Sequence, residues 1–280
     1  MNIKILSDST CDLPKELVER FDIGIVPLFV IKNEEEFLDC VSIYPKDIFA
    51  HVAAGGNLCS TAARSVGTYQ EEFAKYADKY DGVIHINIGA EFSSSHQNAC
   101  LAATEFDNVR VVDSRNLSTG QGLLVLKAAE LAKTAASLDE LKDRLDALTE
   151  KVEASFIPNQ LNYLVKGGRC SSAAALGANL LKLKPCIEVR DGKMSVGKKY
   201  RGDFVKCLTA YIKDRLDGRE DLDTDSIIVT YTQLPEGCME AVMEAVNTYG
   251  HFRTVYLAEA GCTVSCHCGP STMGIMFARK

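Results

Sequence analysis

The sequence predicts an α/β protein of two domains: an N-terminal three-layer α/β/α domain on a mainly parallel sheet, and a C-terminal α/β domain with a mixed sheet. Apolar strand-like segments alternate with helix-like segments through the first half of the chain, which is typical of parallel β-α-β units. From about residue 155 short strands dominate instead, and a hairpin signal appears. We therefore expect an N-terminal domain at residues 1–154 and a C-terminal domain at residues 155–280.

In the N-terminal half, short apolar and β-branched runs predict strands and apolar residues at helical spacing predict helices. A short helix is expected after Asp12, which would cap it, with Pro14 near its first turn. The predicted strands are Asn2–Leu6, Ile23–Ile31, Phe37–Val41, Gly82–Ile88 and Val109–Asp113. The further helices are predicted at Tyr44–Ala53, Gly67–Lys79, Ser95–Glu105 and Ser118–Ala136, and along the apolar stripe from Leu138 to Val152.

In the C-terminal half, the clearest local signal is Asp191-Gly192 between two apolar runs, which predicts a tight hairpin. Strands are predicted at Leu161–Val165, Pro185–Arg190, Lys193–Gly197, Ser226–Tyr231, Thr254–Ala258 and Met273–Ala278. Helices are predicted at Ser171–Leu181, Asp203–Asp217 and Pro235–Tyr249.

Composition narrows the classes of function. The 280 residues carry a formal net charge of −7, which argues against a nucleic-acid partner. No apolar run is long enough for a secretory signal or a membrane span. The eleven cysteines are an odd number and mostly scattered, so we expect mostly buried, inert thiols in a reducing cytoplasm.

Polar loops follow several predicted strands and are the first candidates for a binding site. They are Ser7–Thr10, Ser60–Ser65 and Ser93–Ser95. Ligands of open α/β sheets bind beyond the carboxyl ends of the strands, where hydroxyls and free N–H groups suit an oxygen-rich ligand. Helix capping explains each loop singly, but three such loops favour a shared site. The paired glycines before Arg169 would permit a tight turn. The Arg169 side chain beside them could bind a carboxylate or phosphate, or it could be a solvated side chain on an ordinary turn.

The stretch from Cys262 to Cys268 holds three cysteines and His267, which suggests a metal site. Structural zinc sites use separated ligand pairs, whereas Cys266, His267 and Cys268 are consecutive. If the segment were extended, His267 would point away from both neighbours. Buried thiols around an inward-facing His267 are therefore favoured over zinc. A Ser/His-dependent hydrolase using Ser93, or a metal-dependent one, remains the alternative centred on His267, although no catalytic sequence motif supports it.

Spaced motifs run in order along nearly the whole chain. They are Asp8-Ser9-Thr10-Cys11-Asp12-Leu13-Pro14, Ser60-Thr61, Phe92-Ser93, Val112-Asp113-Ser114, Gly120-x-Gly122, Leu164-x-Lys166-Gly167-Gly168-Arg169, Lys184-Pro185, Arg201 and His267-x-Gly269-Pro270. Taken together, these motifs resemble those of the DegV family of fatty-acid-binding proteins. Each motif alone is weak, and the ordered set is specific.

This resemblance implies a DegV-like fold with one long-chain fatty acid in a buried tunnel between the two domains and no other cofactor. It implies a carrier rather than a free-standing enzyme, serving a separate ATP-dependent kinase of the dihydroxyacetone-kinase type. That kinase would phosphorylate the bound carboxylate, and the acyl phosphate would enter phospholipid synthesis. The matching positions imply that Thr61, Ser93 and His267 bind the carboxylate with Ser60 and Ser94 beside them. Arg169 and Arg201 would face the kinase or the new phosphate.

Three departures from the family pattern affect the same region. Ala62-Ala63 stand where Gln-Pro is usual, Ser94-Ser95-His96 where Gly-Thr-Tyr is usual, and Ser271 in place of a common glycine. A glycine at the position of Ser94 would let the backbone approach a carboxylate closely. We therefore expect the chain length of the ligand and the geometry around its head group to differ from the commonest members.

Overall fold

The structure is a computed structural model that describes residues 1–175 and 183–280. Its N-terminal domain contains a four-stranded parallel sheet in the order β2-β1-β6-β7 and a smaller antiparallel sheet in the order β4-β3-β5. The strands are β1 (Ile3–Asp8), β2 (Gly24–Val26), β3 (Phe29–Lys32), β4 (Glu35–Leu38), β5 (Ser60–Ala62), β6 (Gly82–Asn87) and β7 (Val109–Asp113).

Helices cover both faces of the parallel sheet, which makes three layers. On one face the apolar side chains of α1, α5 and α6 pack against the strands, and on the other face those of α3 and α4 do. The helices are α1 (Lys15–Arg20), α2 (Pro45–Ala53), α3 (Val66–Ala77), α4 (Ser95–Ala103), α5 (Thr119–Leu131) and α6 (Leu138–Thr149), with a 3₁₀ turn at Ser9–Cys11.

The C-terminal domain is built on a six-stranded mixed sheet in the order β10-β9-β8-β13-β11-β12, in which β11 and β12 pair in parallel. The strands are β8 (Val152–Pro158), β9 (Leu183–Arg190), β10 (Lys193–Arg201), β11 (Leu222–Tyr231), β12 (Thr254–Glu259) and β13 (Thr272–Arg279). The helices are α7 (Asn162–Gly167), α8 (Ser171–Ala174), α9 (Phe204–Leu216), α10 (Cys238–Tyr249) and α11 (Cys262–Cys268).

The parallel sheet of the N-terminal domain and the mixed sheet of the C-terminal domain confirm the predicted fold class. The hairpin at Asp191-Gly192 is also confirmed, since both residues have positive φ, as a two-residue type I′ turn requires. The predicted domain boundary after residue 154 falls inside β8, the first strand of the mixed sheet, and stays a prediction. The predicted helix Ser171–Leu181 begins as α8, and its part from residue 176 onward lies outside the described residues.

Two predicted strands are wrong in kind or extent. The segment Ile23–Ile31 is two strands in two different sheets, because Pro27 lies between them and has no N–H group to continue a ladder. Leu161–Val165 belongs mainly to helix α7. Its apolar residues Leu161, Leu164 and Val165 are spaced by three and four positions, which fits a helix better than a strand.

Two further differences concern the cap of α1 and two strands that were not predicted. Asp12 does not cap α1: Pro14 is the N-cap residue, and the Asp12 carboxylate instead accepts hydrogen bonds from Ser118 and from the Gly261 backbone. Strands β5 and β8 are not among the predicted elements. Strand β5 is only three residues long, and β8 follows directly on the apolar stripe of α6.

Two helices connect the domains. Helix α5 is buried along most of its length because it packs on β1 in one domain and on β8 and β13 in the other. Helix α11 contacts α2, β3 and β5 of the N-terminal domain as well as α7. In the part of the chain that is described, no helix is both long and apolar enough to cross a membrane.

Candidate functional site

A cavity of about 250 Å³ lies between the two domains. Its N-terminal wall comes from Leu28, strand β5 with the residue after it, the loop after β6 and Leu117 near the start of α5, and its C-terminal wall comes from α7, Arg169, β10 and α11. This places it beyond the carboxyl end of a parallel strand, where α/β sheets bind ligands. The lining residues are Leu28, Thr61, Ala62, Ala63, Ile88, Phe92, Ser93, Ser94, Leu117, Leu164, Arg169, Met194, Thr263, Val264, His267 and Cys268.

The cysteine-rich stretch is the helix α11, not an extended segment, and it is buried between the domains. Cys262 and Cys266 lie one turn apart and pack among N-terminal residues, whereas Val264 and Cys268 pack with C-terminal residues. A helix that is buried on opposite faces needs small apolar side chains all round, which free cysteine provides. The clustered thiols thus follow from the position of the helix.

The N-terminus of α11 is held by carboxylates from the other domain. The Gly261 N–H donates to Asp12 Oδ1 at 2.9 Å, and the Cys262 N–H donates to Asp39 Oδ1 at 2.7 Å. The Thr263 N–H donates to Asp39 Oδ2 at 3.3 Å. These bonds satisfy N–H groups that a helix leaves free at its start. The helix that carries His267 is therefore fixed to the N-terminal domain.

His267 reaches across the cleft to Thr61. Its Nε2 atom lies 2.9 Å from Thr61 Oγ1. Burial, and secondarily the positive charge of Arg169, lower the pKa of His267 to about 4, so the imidazole is neutral at neutral pH. Its Nδ1 atom is buried and has no hydrogen-bond partner among the described residues.

The glycine pair before Arg169 has two separate roles. Gly168 has a φ of +69° at the end of α7, which favours glycine. At Gly167 a Cβ atom would stand 2.4 Å from His267 Nδ1, so only glycine leaves room for the imidazole. The close backbone approach that the sequence suggested is thus made to a side chain of the protein.

Hydroxyl groups supply most of the other polar atoms of the cavity. Ser93 Oγ lies 2.9 Å from Ser95 Oγ and accepts the Ser95 N–H, so it lies at the start of α4. Ser94 is exposed, and its φ of −73° is ordinary for any residue, so its backbone does not require a glycine. Thr263 Oγ1 is buried and lacks a hydrogen-bond partner within the described ranges.

The structure brings together five of the seven residues expected at the site: Thr61, Ser93, Ser94, Arg169 and His267 line one cavity. Ser60, the first residue of β5, is exposed and does not line it. Arg201, at the end of β10, is exposed and does not line it either.

Thr263 is a cavity residue that the sequence reasoning missed. It lies four residues before His267, so both side chains are on the same face of α11. This spacing of four residues is visible in the sequence, but it places the two side chains on one face only if the segment is a helix. Ala62 and Ala63, which depart from the family pattern, also line the cavity. Together their side chains are smaller and less polar than those of the usual Gln-Pro pair.

The geometry of the site does not favour the hydrolase alternative. The Ser93 hydroxyl is bonded to Ser95 and the His267 imidazole to Thr61, so no Ser93–His267 hydrogen bond forms. Residues 1–175 and 183–280 contain one group with the spacing of metal ligands, Asp39, Cys40 and Cys262, and it does not include His267.

The apolar part of the cavity leads toward a second, much smaller one of about 20 Å³. Leu117, Val264 and Cys268 line both. The two spaces therefore adjoin, with these three side chains between them. The site combines a polar end, with hydroxyls and a neutral imidazole, with an apolar interior.

Comparison with known proteins agrees with this architecture. A family model described as "Uncharacterised protein, DegV family" matches residues 2–280. A DegV domain-containing protein of Clostridium perfringens is 31% identical over 282 residues, covering 99% of each chain. A DegV family protein from Thermus thermophilus, described in terms of its fatty acid binding, has a solved structure with a TM-score of 0.89 at 28% identity and full coverage of both chains.

A solved structure of a stearic acid-binding protein from Eubacterium ventriosum has a TM-score of 0.81 at 26% identity, covering 99% of this chain and 98% of that one. The matches span whole chains rather than a single motif. On the extent of the family match and the relative at 31% identity, this chain belongs to the DegV family.

Proposed function

We propose that this protein binds a long-chain fatty acid in the cavity between its domains and is a carrier rather than an enzyme. The observation that carries the proposal is the composition of that cavity: hydroxyls and a neutral imidazole at one end, and apolar side chains along the rest. Relatives described as binding fatty acids, including stearic acid, support the same ligand class.

The polar end suits a carboxylate because a buried charge must receive several hydrogen bonds. We assign the direct contacts to Thr61, Ser93 and Thr263, whose hydroxyls can each donate one proton. A neutral His267 that donates its Nε2–H to Thr61 leaves the Thr61 proton free for a carboxylate oxygen. His267 thus orients the donor, and Ser94 lies at the edge of this group.

The apolar end suits an acyl chain. Each buried CH₂ group contributes about 0.8 kcal/mol to binding, so a long chain outweighs the cost of desolvating the head group. The passage past Leu117, Val264 and Cys268 would receive the end of the chain.

We further propose that the bound carboxylate is presented to a separate ATP-dependent kinase, of the dihydroxyacetone-kinase type, in the cytoplasm. The kinase would transfer the terminal phosphoryl group of ATP to a carboxylate oxygen, giving an acyl phosphate and ADP for phospholipid synthesis. The exposure of Ser94 and Arg169 at the polar end supports access from outside. Arg201 would contribute from the neighbouring surface to docking of the kinase, together with Arg169.

Native mass spectrometry of the purified protein, compared with its denatured mass, tests the binding proposal. We expect an added mass of one fatty acid per chain, identified after solvent extraction, or uptake of stearic acid by stripped protein. A protein that remains empty after incubation with saturated and unsaturated chains would refute the proposal.

Trapping with hydroxylamine tests the kinase step, because it converts an acyl phosphate to a stable hydroxamate. We expect the hydroxamate only when this protein, fatty acid, ATP and the kinase are all present. Ester hydrolysis by the protein alone that is lost in His267→Ala would favour the hydrolase alternative instead.

A further inference from the structure

A pair of thiols joins the two domains directly beside the contact between Thr61 and His267. Cys59 precedes β5, and Cys266 precedes His267 in α11. Both side chains belong to one buried apolar cluster where α11 packs against β5, which brings the two thiols within reach of each other across the domain boundary. Cys59 is 7% exposed and Cys266 is 3% exposed. The pair is therefore shielded, with Cys59 as the more accessible sulfur.

Cys59 differs from the other buried cysteines in its acidity. The hydrogen bond from Cys266 and the positive charge of Lys32 lower the pKa of Cys59 to about 7. Burial instead raises the pKa of Cys11 and of Cys268. A thiol that is half ionised at neutral pH is a nucleophile, whereas the Cys266 thiol, whose pKa is raised, keeps its proton.

We propose that Cys59 and Cys266 are a site of reversible oxidation by a peroxide, which forms a disulfide between the domains. The Cys59 thiolate attacks one peroxide oxygen, the O–O bond breaks, and the other oxygen leaves as water or an alcohol. The Cys266 thiol then displaces water from the resulting sulfenic acid and forms the S–S bond. Two thiols lose two electrons and two protons, and the peroxide accepts them.

A second thiol pair one turn earlier on α11 serves as an internal control. Cys40 and Cys262 have their sulfur atoms within 4.8 Å, beside the Asp39 carboxylate. The pKa of Cys262 is raised by its hydrogen bond with Cys40, by burial and by the charge of Asp39. Asp39 opposes a thiolate at Cys262, so we expect this pair to oxidise more slowly although Cys40 is exposed.

The disulfide would hold β5 against α11 and so fix Thr61 at His267. A ligand that enters or leaves between the domains needs these elements to separate. Oxidation would therefore trap a bound ligand and slow its exchange. This effect on exchange rests on the proposed fatty-acid binding, whereas formation of the disulfide does not.

Peptide mapping after peroxide treatment tests the disulfide. Protein near pH 7.5 is exposed to a small excess of hydrogen peroxide, alkylated without reduction and digested with trypsin. Cleavage at Lys46 and Arg64 separates Cys59 from Cys40, and fragmentation of the peptide 254–279 locates the linked cysteine within it. We expect a peptide that joins Cys59 to Cys266, which disappears on reduction with dithiothreitol.

In the variant Cys266→Ser, Cys59 should accumulate as a sulfenic acid that dimedone traps, while Cys40→Ser should leave the Cys59–Cys266 link intact. Recovery of Cys59 as an alkylated free thiol, or its linkage to a different cysteine, would overturn the proposal. This mapping in the native sequence stands even if a variant fails to fold.

Ligand exchange is measured separately with a fluorescent fatty acid. We expect exchange to slow by roughly tenfold or more after oxidation and to recover after reduction, because the cross-link restricts opening. A cross-linked protein with unchanged exchange would overturn the trapping effect, while an absence of binding in both states would count against the proposed function alone.

Discussion

Two groups of polar side chains differ in one respect: one surrounds Asp8 at the ends of β1 and β6, and the other lines the cavity. Around Asp8 the protein supplies its own carboxylate: Tyr69, Asn87 and the Ile88 N–H donate to its two oxygens at 2.7, 3.0 and 3.1 Å. In the cavity, Thr61, Ser93 and Thr263 offer hydroxyls, and no carboxylate of the described residues meets them. The first group holds strands together, and we propose that the second receives the carboxylate of a ligand.

This contrast distinguishes polar groups that stabilise the fold from polar groups that we assign to ligand binding. A buried donor without an acceptor costs about 1–3 kcal/mol, and a ligand that accepts its hydrogen bond would repay that cost. Donors around Asp8 stabilise the fold, whereas on our proposal the donors in the cavity serve binding. The two groups should therefore respond to mutation in opposite ways.

The largest expected effect is that of Asp8→Ala on stability. The change leaves the Tyr69 hydroxyl, the Asn87 amide and the Ile88 N–H buried without their acceptor. We expect a loss of about 3–5 kcal/mol in the free energy of unfolding, measured with urea. Asp8→Asn, which keeps one acceptor oxygen, should lose less. A loss below about 1 kcal/mol in both variants would show that this carboxylate does not organise the strand ends.

Thr61→Val should lower the affinity for the ligand, and it should also cost about 1 kcal/mol of stability because the His267 Nε2–H loses its acceptor. It removes the hydroxyl that we assign to the ligand carboxylate, and a hydrogen bond to a charged group contributes about 1.5–3 kcal/mol. Fatty-acid affinity measured by calorimetry should fall roughly 10- to 150-fold. The matched control is the adjacent Ser60→Ala, outside the cavity, which should bind like the native protein. Equal losses in both variants would remove Thr61 from the site.

Acidification should destabilise the protein in part through His267. Because burial lowers the pKa of His267 to about 4, the unfolded chain takes up a proton first, starting near pH 6.5. Stability is therefore lost as the pH falls from about 6.5 toward 4, at most about 2 kcal/mol between pH 7.5 and pH 5. Urea unfolding of His267→Gln, which cannot ionise, should show a correspondingly smaller decrease. Parallel pH profiles for the two proteins would contradict the buried, neutral imidazole.

Gly167→Ala should disturb the imidazole without touching the ligand. Its Cβ would stand 2.4 Å from His267 Nδ1, so the ring must move away and its contact with Thr61 weakens. We expect affinity to fall by about 1–2 kcal/mol. Gly168→Ala is the control, since nothing lies within 4 Å of its added Cβ. It should cost stability, roughly 1–2 kcal/mol, through its positive φ, and leave affinity intact.

The smallest expected effect is that of Thr263→Val, which tests the comparison between the two groups most closely. Thr263→Val removes a buried hydroxyl without a partner in the described structure and keeps the shape of the side chain. We expect the empty protein to gain up to about 1 kcal/mol of stability and the affinity for fatty acid to decrease by about the same amount. A variant that loses both stability and affinity would place Thr263 in the structural group with Asp8.

The sequence was sufficient for the fold class because strands such as Val109–Asp113 and helices such as α2 carry their own periodicity. It failed where tertiary contacts decide. Strand β5 is three residues long and is defined by its pairing with β3, and α7 depends on a six-residue pattern that also fits a strand.

The same limit applies to the site. The resemblance of the ordered motifs to the family pattern pointed to Thr61, Ser93, Arg169 and His267, and all four line the cavity. The role of Gly167 against His267 and the place of Thr263 in the cavity depend on distances between segments about 100 residues apart or on the helical state of α11. Neither can be read from local spacing.

A crystal structure of the protein with stearic acid would test most directly the claim that the cavity donors await an external carboxylate. We expect one curved tube of density between the domains, with its carboxylate within hydrogen-bonding distance of Thr61 and Ser93 and its tail past Leu117 and Val264. A carboxylate elsewhere on the surface, or an empty cleft at saturating ligand, would contradict the claim.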